Sequence, residues 1–248
     1  MVRIFSFFIL LFVLPSSIFA KVSTMEKNAL LDIYNCTNGR AWTITWDLSS
    51  PVYSWYGVGI KEDKIVSLEL FDNHLTGILP SSLGDLKYLK TLNLAFNNIG
   101  GNIPESIVLL RRLTVLRLGR NKLSGEIPEN IGNMILLERF ELGGNELEGK
   151  IPKTLAKIYT LKALDLSGNR LTGEIPWRIT TLPNLDLLQI QDNNLDKSQI
   201  SHLRNKNINM AVFEYDGNLD KTIHTDIERF IIKTDTRMVD VGFEDAND

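Results

Sequence analysis

The side chains that could move protons, attack a substrate or hold a metal are few and scattered. His74 stands far from His202 and His224, and Cys36 is the sole cysteine. No His/Cys pair has the short spacing that places two ligands on one metal ion. There is no phosphate-cradling G-x-x-x-x-G-K-[ST], no G-x-S-x-G elbow and no Gly-rich strand-to-helix turn. Glu141 and Asp165 could mimic a catalytic carboxylate pair, but such pairs need an enclosing cleft to drive their pKa values apart. A solvated face is expected for them instead. The chain therefore reads as a non-enzyme without metal or cofactor. The remaining chemistry is that of recognition. Phe71, Phe96, Arg117, Arg120 and Arg139 are residue types enriched at the energetic centres of interfaces. Whether they meet depends on the elements that carry them.

Those elements repeat every 24 residues. The segments Ile65–Asn73, Leu89–Asn97, Leu113–Asn121, Leu137–Asn145, Leu161–Asn169 and Leu185–Asn193 follow L-x-x-L-x-L-x-x-N, the first opening with Ile65. Five of the six continue to Gly77, Gly101, Gly125, Gly149 or Gly173 and then to an apolar-Pro pair, from Leu79-Pro80 to Ile175-Pro176. A fixed period of this length predicts a stacked coil, because one unit cannot bury its apolar face alone. The L-x-L core alternates with period two and predicts a short strand with its leucines inward. The Asn can donate and accept inside the turn, so a column of Asn is expected to satisfy backbone groups that water cannot reach. Pro lacks an N–H and fixes φ, which suits an extended back segment. Leu83 and Leu86, with their counterparts in later repeats, are three apart and predict a turn of helix or 3₁₀ helix on the convex side.

This consensus, with its Asn, Gly and Ile-Pro in register, resembles the plant-type leucine-rich repeat. That repeat is shared by polygalacturonase-inhibiting proteins and the ectodomains of plant receptor kinases. The resemblance implies an α/β repeat solenoid, a leucine-rich-repeat right-handed superhelix with a parallel sheet on its concave face. It also implies a secreted or cell-surface recognition module. The end caps of those families usually carry paired cysteines. Here a single thiol cannot form an internal disulfide, so stability must come from the repeats and apolar caps.

Period two fixes which side chains face outward from the concave sheet. The column between the central leucines reads Glu69, Asn93, Arg117, Glu141, Asp165, Gln189, and the column before it includes Arg139. Past the second leucine come Phe71, Ala95, Gly119, Gly143, Ser167, Gln191, then Asp72, Phe96, Arg120, Gly144, Gly168, Asp192. The expected binding surface centres on Phe71, Phe96, Arg117, Arg120 and Arg139, with Glu69, Glu141 and Asp165 at its margins. Gly143-Gly144 reads as a small surface position. Trp177, where other repeats carry Ser, Glu or Lys after the Pro, is a secondary contact.

The ends complete the organisation. Residues 1–20 have a basic start, an apolar run from Ile4 to Leu14 and a small residue at Ala20, the pattern of a secretory signal peptide. Residues 21–64 form an N-terminal cap, with a helical stripe of Met25, Ala29, Leu30, Ile33 and Tyr34 and a seal of Trp42, Trp46, Trp55 and Tyr56. Residues 65–209 hold six repeats, the last degenerate. Residues 210–233 supply a degenerate seventh strand and a cap helix, and 234–248 an acidic disordered tail. Asn35-Cys36-Thr37 is the one N-x-[ST] sequon, a candidate glycosylation site. No segment after the leader is expected to span a membrane. The net charge of −3 offers no basic stripe for nucleic acid. The expected function is a secreted, non-enzymatic protein that binds a protein or peptide through its concave face. The partner could be an extracellular hydrolase or a receptor. The alternatives are an inhibitor of a cell-wall hydrolase and a structural component of the extracellular matrix.

Overall fold

The computed structural model describes residues 22–196 and the strand Val212–Glu214. The signal peptide, the cap helix around Ile223–Ile231 and the acidic tail lie outside the described residues. Each repeat makes one turn of a coil, and its strand adds to a single eight-stranded sheet. Val58–Lys61 opens that sheet as an antiparallel hairpin with Lys64–Glu69, across Glu62 and Asp63, both at positive φ (51° and 58°). Positive φ at two successive residues matches the twist of a tight hairpin. Thr91–Asn93, Val115–Arg117, Arg139–Glu141, Ala163–Asp165, Leu187–Gln189 and Val212–Glu214 then stack in parallel and in register, residue n on residue n+24 through the first six repeats. The last pair, Gln189 with Glu214, is offset by one more residue, and the strand predicted at the degenerate seventh position is present.

The leucines behave as the period requires. Leu68, Leu92, Leu116, Leu164 and Phe140 occupy the same inward position and are fully buried. Behind the Gly a second parallel sheet, Thr76–Ile78, Asn98–Asn102, Lys122–Glu126 and Glu146–Glu148, forms another side of the coil. The apolar pairs close the convex side as 3₁₀ turns, such as Ser81–Asp85 and Glu105–Leu109, each with an extended Pro at its N-cap. Each of these turns is five residues long, the short kind of piece in which the tighter 3₁₀ form is used.

The asparagine ladder is complete from Asn73 to Asn193. Asn97 shows its wiring: Nδ2 donates to Leu70 O (2.8 Å) and Leu94 O (3.0 Å), while Oδ1 accepts from Asn73 N (3.0 Å) and Leu75 N (2.9 Å). One amide thus ties its own repeat to the preceding one.

The cap helix α1 (Thr24–Cys36) carries the first coil. Glu26 N donates to Ser23 Oγ, and Ser23 Oγ donates in turn to Glu26 Oε2 (2.7 Å). Glu26 Oε1 accepts from Ile65 N (3.1 Å), satisfying a buried N–H of the first repeat. The apolar stripe is corrected at one position: Met25 is exposed, and Glu26 takes the buried place because its carboxylate has donors there. Tyr34, Trp42, Trp46 and Trp55 form a continuous aromatic stack, with Trp46 and Trp55 centroids 4.8 Å apart. Each indole N–H finds a carbonyl: Thr37, Tyr56 and Asp47 respectively. This is an apolar seal with its polar handles satisfied. Tyr56, expected in the seal, stands half-exposed outside it and contributes only its carbonyl.

Candidate binding surface on the concave sheet

Parallel register brings the expected residues together along one lateral edge of the sheet. Phe71 and Phe96 pair with ring centroids 5.1 Å apart and planes at 53°, and both stay about half-exposed. They come from adjacent repeats but not from equivalent positions. Phe96 is one residue further along, where the chain turns into the left-handed region. Asp72, Phe96, Arg120 and Asp192 all sit there (φ 47° to 59°), and the same position is Gly144 and Gly168 in the two intervening repeats. A left-handed backbone is uncommon for a bulky side chain, and such residues concentrate where strain serves a function. Phe96 and Arg120 therefore occupy a turn position that glycine fills without strain.

The three arginines are not equivalent. Glu141 lies between two of them. Arg117 Nε is 3.0 Å from Glu141 Oε2, an ion pair without hydrogen-bond alignment, and Arg139 Nη1 is 3.7 Å from Glu141 Oε1. Glu141 is thus not at the margin. It sits at the centre and cancels one of two positive charges. Arg120 has no carboxylate partner among the described residues. Its stem leans along the coil over Gly144, where an added Cβ would come within 2.9 Å of Arg120 Cδ.

Glu141 and Asp165 are register neighbours, yet they do not form a dyad. Glu141 turns to the arginines. Asp165 Oδ1 accepts from Ser167 N (2.9 Å) and Ser167 Oγ (2.6 Å), and its carboxylate overhangs Gly143. Gly143 is therefore a buried floor position rather than a small surface one. Glu69 is exposed at the first repeat, beside the Phe71 strand end.

One feature of the face was not anticipated. Gly119, Gly143, Gly144 and Gly168 make the bottom of a trough of about 360 Å³, walled by Phe96 and Arg120 at one end and Gln191 and Asp192 at the other. Its signature was present in the columns, where consecutive repeats lose their side chains at two adjacent positions. Only the register shows those gaps to be contiguous. Trp177 does not join this surface. It lines a separate recess of about 1010 Å³ with Tyr159, Lys150, Lys153 and Lys157, and the Arg178 guanidinium stacks 5.4 Å from its ring centroid. Asn35 is exposed in the last turn of α1, while Thr37 of the same sequon is buried and donates to Ile33 O (2.6 Å). Among the described residues no cluster of three His, Cys, Asp or Glu could hold a metal ion, and no helix is long and apolar enough to cross a membrane. His74, held at positive φ, shares a hydrogen bond with Thr43 (3.1 Å).

Comparison with known proteins gives the following. The family model described as "Leucine rich repeat" matches residues 63–123 and 111–171. Polygalacturonase inhibitor 1 of Arabidopsis thaliana is 33% identical over 71 residues, which are 27% of this chain and 22% of the inhibitor. The chain thus spans about a fifth of that curated relative. A plant ice-binding protein structure superposes with a TM-score of 0.65 at 34% identity, covering 71% of this chain and 58% of that one. A chain of the BIR3–SERK2 complex of Arabidopsis thaliana superposes with a TM-score of 0.59 at 31% identity, covering 69% of this chain and 95% of that one.

Proposed function

Since the chain belongs to the plant-type leucine-rich-repeat proteins, we propose that it is an exported, non-enzymatic recognition protein whose concave face binds a protein or peptide. The observation that carries this reading is the Phe71–Phe96 pair. An aromatic ring held half-exposed at a left-handed backbone position does nothing for the coil that the glycines of later repeats do not do better. A rigid coil loses little freedom on binding, so a few such anchors suffice for affinity. The test is a pull-down from native extracellular fluid with the wild-type protein and with Phe96→Ala. A partner captured equally by both would show that the face has been chosen wrongly.

The similarity to a polygalacturonase inhibitor favours a second reading, in which the bound protein is a cell-wall hydrolase. Inhibition assays against purified hydrolases separate it from the first. Export follows from the leader pattern at residues 1–20, with a mature N-terminus at Lys21, which N-terminal sequencing checks. A glycan on Asn35 belongs to the same reading. It would be added before α1 packs, because the Thr37 hydroxyl is buried in the folded chain. A mass shift on enzymatic deglycosylation, absent in Asn35→Gln, checks it.

A further inference from the structure

The concave trough has a built-in order of chemistry along the coil axis. At one end lies the Phe71–Phe96 pair. Next comes Arg120, the one concave arginine without a carboxylate partner among the described residues, leaning over the glycine floor. From the following repeat Asp165 reaches back over Gly143; its Oδ1 is held by Ser167 and its Oδ2 makes no hydrogen bond or ion pair among the described residues. Between them Gly119, Gly143 and Gly144 add no side chains of their own, so the Arg120 stem over Gly144 and the Asp165 carboxylate over Gly143 line the trough. Like charges are kept apart, and Glu141 is occupied by Arg117 and Arg139.

We propose that this trough binds an extended peptide with a fixed order of side chains: an apolar group on Phe71 and Phe96, then a carboxylate at Arg120, then a basic group at Asp165. The proposal rests on the concave-face reading above and names its ligand. Spacing sets the register of the motif. Strands lie ~4.8 Å apart and an extended peptide advances ~3.3 Å per residue. Arg120 is one repeat past Phe96 and leans toward the next, so the carboxylate follows the apolar residue by about one to three positions. Asp165 is two repeats past Arg120, but its carboxylate reaches back over Gly143 while Arg120 leans over Gly144, so the basic group follows the carboxylate by about one or two positions. A peptide with the reverse charge order would set like charges against each other at both ends, and a purely apolar one would leave Arg120 and Asp165 desolvated without partners. The carboxylate can come from an Asp or Glu side chain or from a free C-terminus.

The experiment selects from random linear peptide libraries, displayed with the C-terminus either fused or free. The baits are the wild-type chain, Arg120→Glu, Asp165→Asn and Phe71→Ser/Phe96→Gly, each checked for an intact thermal melt. Asp165→Asn keeps an acceptor for Ser167 and removes only the charge. The wild type should enrich the apolar–acid–base order. Arg120→Glu should lose the acid preference at least about tenfold, as expected when a charge-assisted pair becomes a repulsion. Asp165→Asn should lose the basic preference alone, and the double Phe variant should return the starting library. Acid enrichment confined to the free-C-terminus library assigns the carboxylate to the peptide end. Enrichment that needs the Phe pair but shows no charge order overturns the proposal and leaves the concave-face reading intact. Enrichment that persists in the double Phe variant, or none with the wild type, overturns both.

Discussion

Phe71 and Phe96 pack against each other across two repeats, ring centroids 5.1 Å apart and planes tilted by 53°, although they hold non-equivalent positions in those repeats. The stagger is what brings them together. Phe71 ends the extended part of its repeat, and Phe96 enters the turn of the next with φ at 59°. A regular column would have set a side chain directly over its equivalent. Here a side chain meets the neighbour one step further on, and Phe96 of the pair walls one end of the glycine trough.

Replacing Phe96 with Gly separates folding from binding at this pair. The substitution relieves a left-handed bulky residue, a strain of about 1–3 kcal/mol. It forfeits an aromatic pair contributing about 0.5–1.5 kcal/mol. The two offset, so the melting temperature of Phe96→Gly should equal or slightly exceed that of the wild type while partner binding falls at least ~30-fold, the cost of losing an anchor of ~2 kcal/mol. Calorimetry and a binding titration on the same sample check this. A clear fall in melting temperature would make the pair structural.

Arg120→Gly tests the same backbone position without an aromatic term. Its φ is 55°, and among the described residues it makes no ion pair that the substitution would break. The melting temperature should rise by an amount corresponding to about 1 kcal/mol, and thermal melts at matched pH and salt would show it.

Glu141→Gln should alter the field of the face more than its stability. Both ion pairs are partly exposed, so the loss is within ~1 kcal/mol. Removing the central negative charge leaves Arg117 and Arg139 unopposed. Association with an anionic partner should speed up at low salt, and the gain should disappear as ionic strength rises. Stopped-flow association rates across a salt series provide the measurement.

Asn121→Leu should destabilise the coil from within. It leaves Ile99 N–H without its acceptor, while Leu94 O and Leu118 O each lose one donor and keep the bonds from Asn97 Nδ2 and Asn145 Nδ2. The buried orphan N–H costs roughly 1–3 kcal/mol. A drop in the chemical-denaturation midpoint is expected, and an unchanged midpoint would show the ladder to be dispensable.

Glu26→Ala should weaken the cap in the same manner. Ile65 N–H and the Ser23 hydroxyl both lose their acceptor. The expected loss is about 2 kcal/mol, and hydrogen exchange at Ile65 should accelerate more than at Leu116.

Sequence alone settled the coil, because a 24-residue period with inward leucines admits one way to bury an apolar face that a single unit cannot bury. The same periodicity placed Phe71, Phe96, Arg117, Arg120, Arg139, Glu141 and Asp165 on the concave side, and it placed Asn97 and Asn121 inside the turns. It misplaced Met25 and Tyr56, since an apolar stripe cannot reveal that Glu26 is buried against the Ile65 N–H or that three tryptophans already fill the cap. The pairing of charges was decided only in three dimensions. Glu141 could have faced Asp165, its register neighbour, but side-chain rotamers turned it to Arg117 and Arg139 and left Arg120 without a carboxylate among the described residues. Likewise the four glycines of three successive repeats became a trough only once register made them contiguous. Periodicity specifies which face a side chain occupies; which neighbour it touches depends on torsions and electrostatics that no one-dimensional pattern encodes.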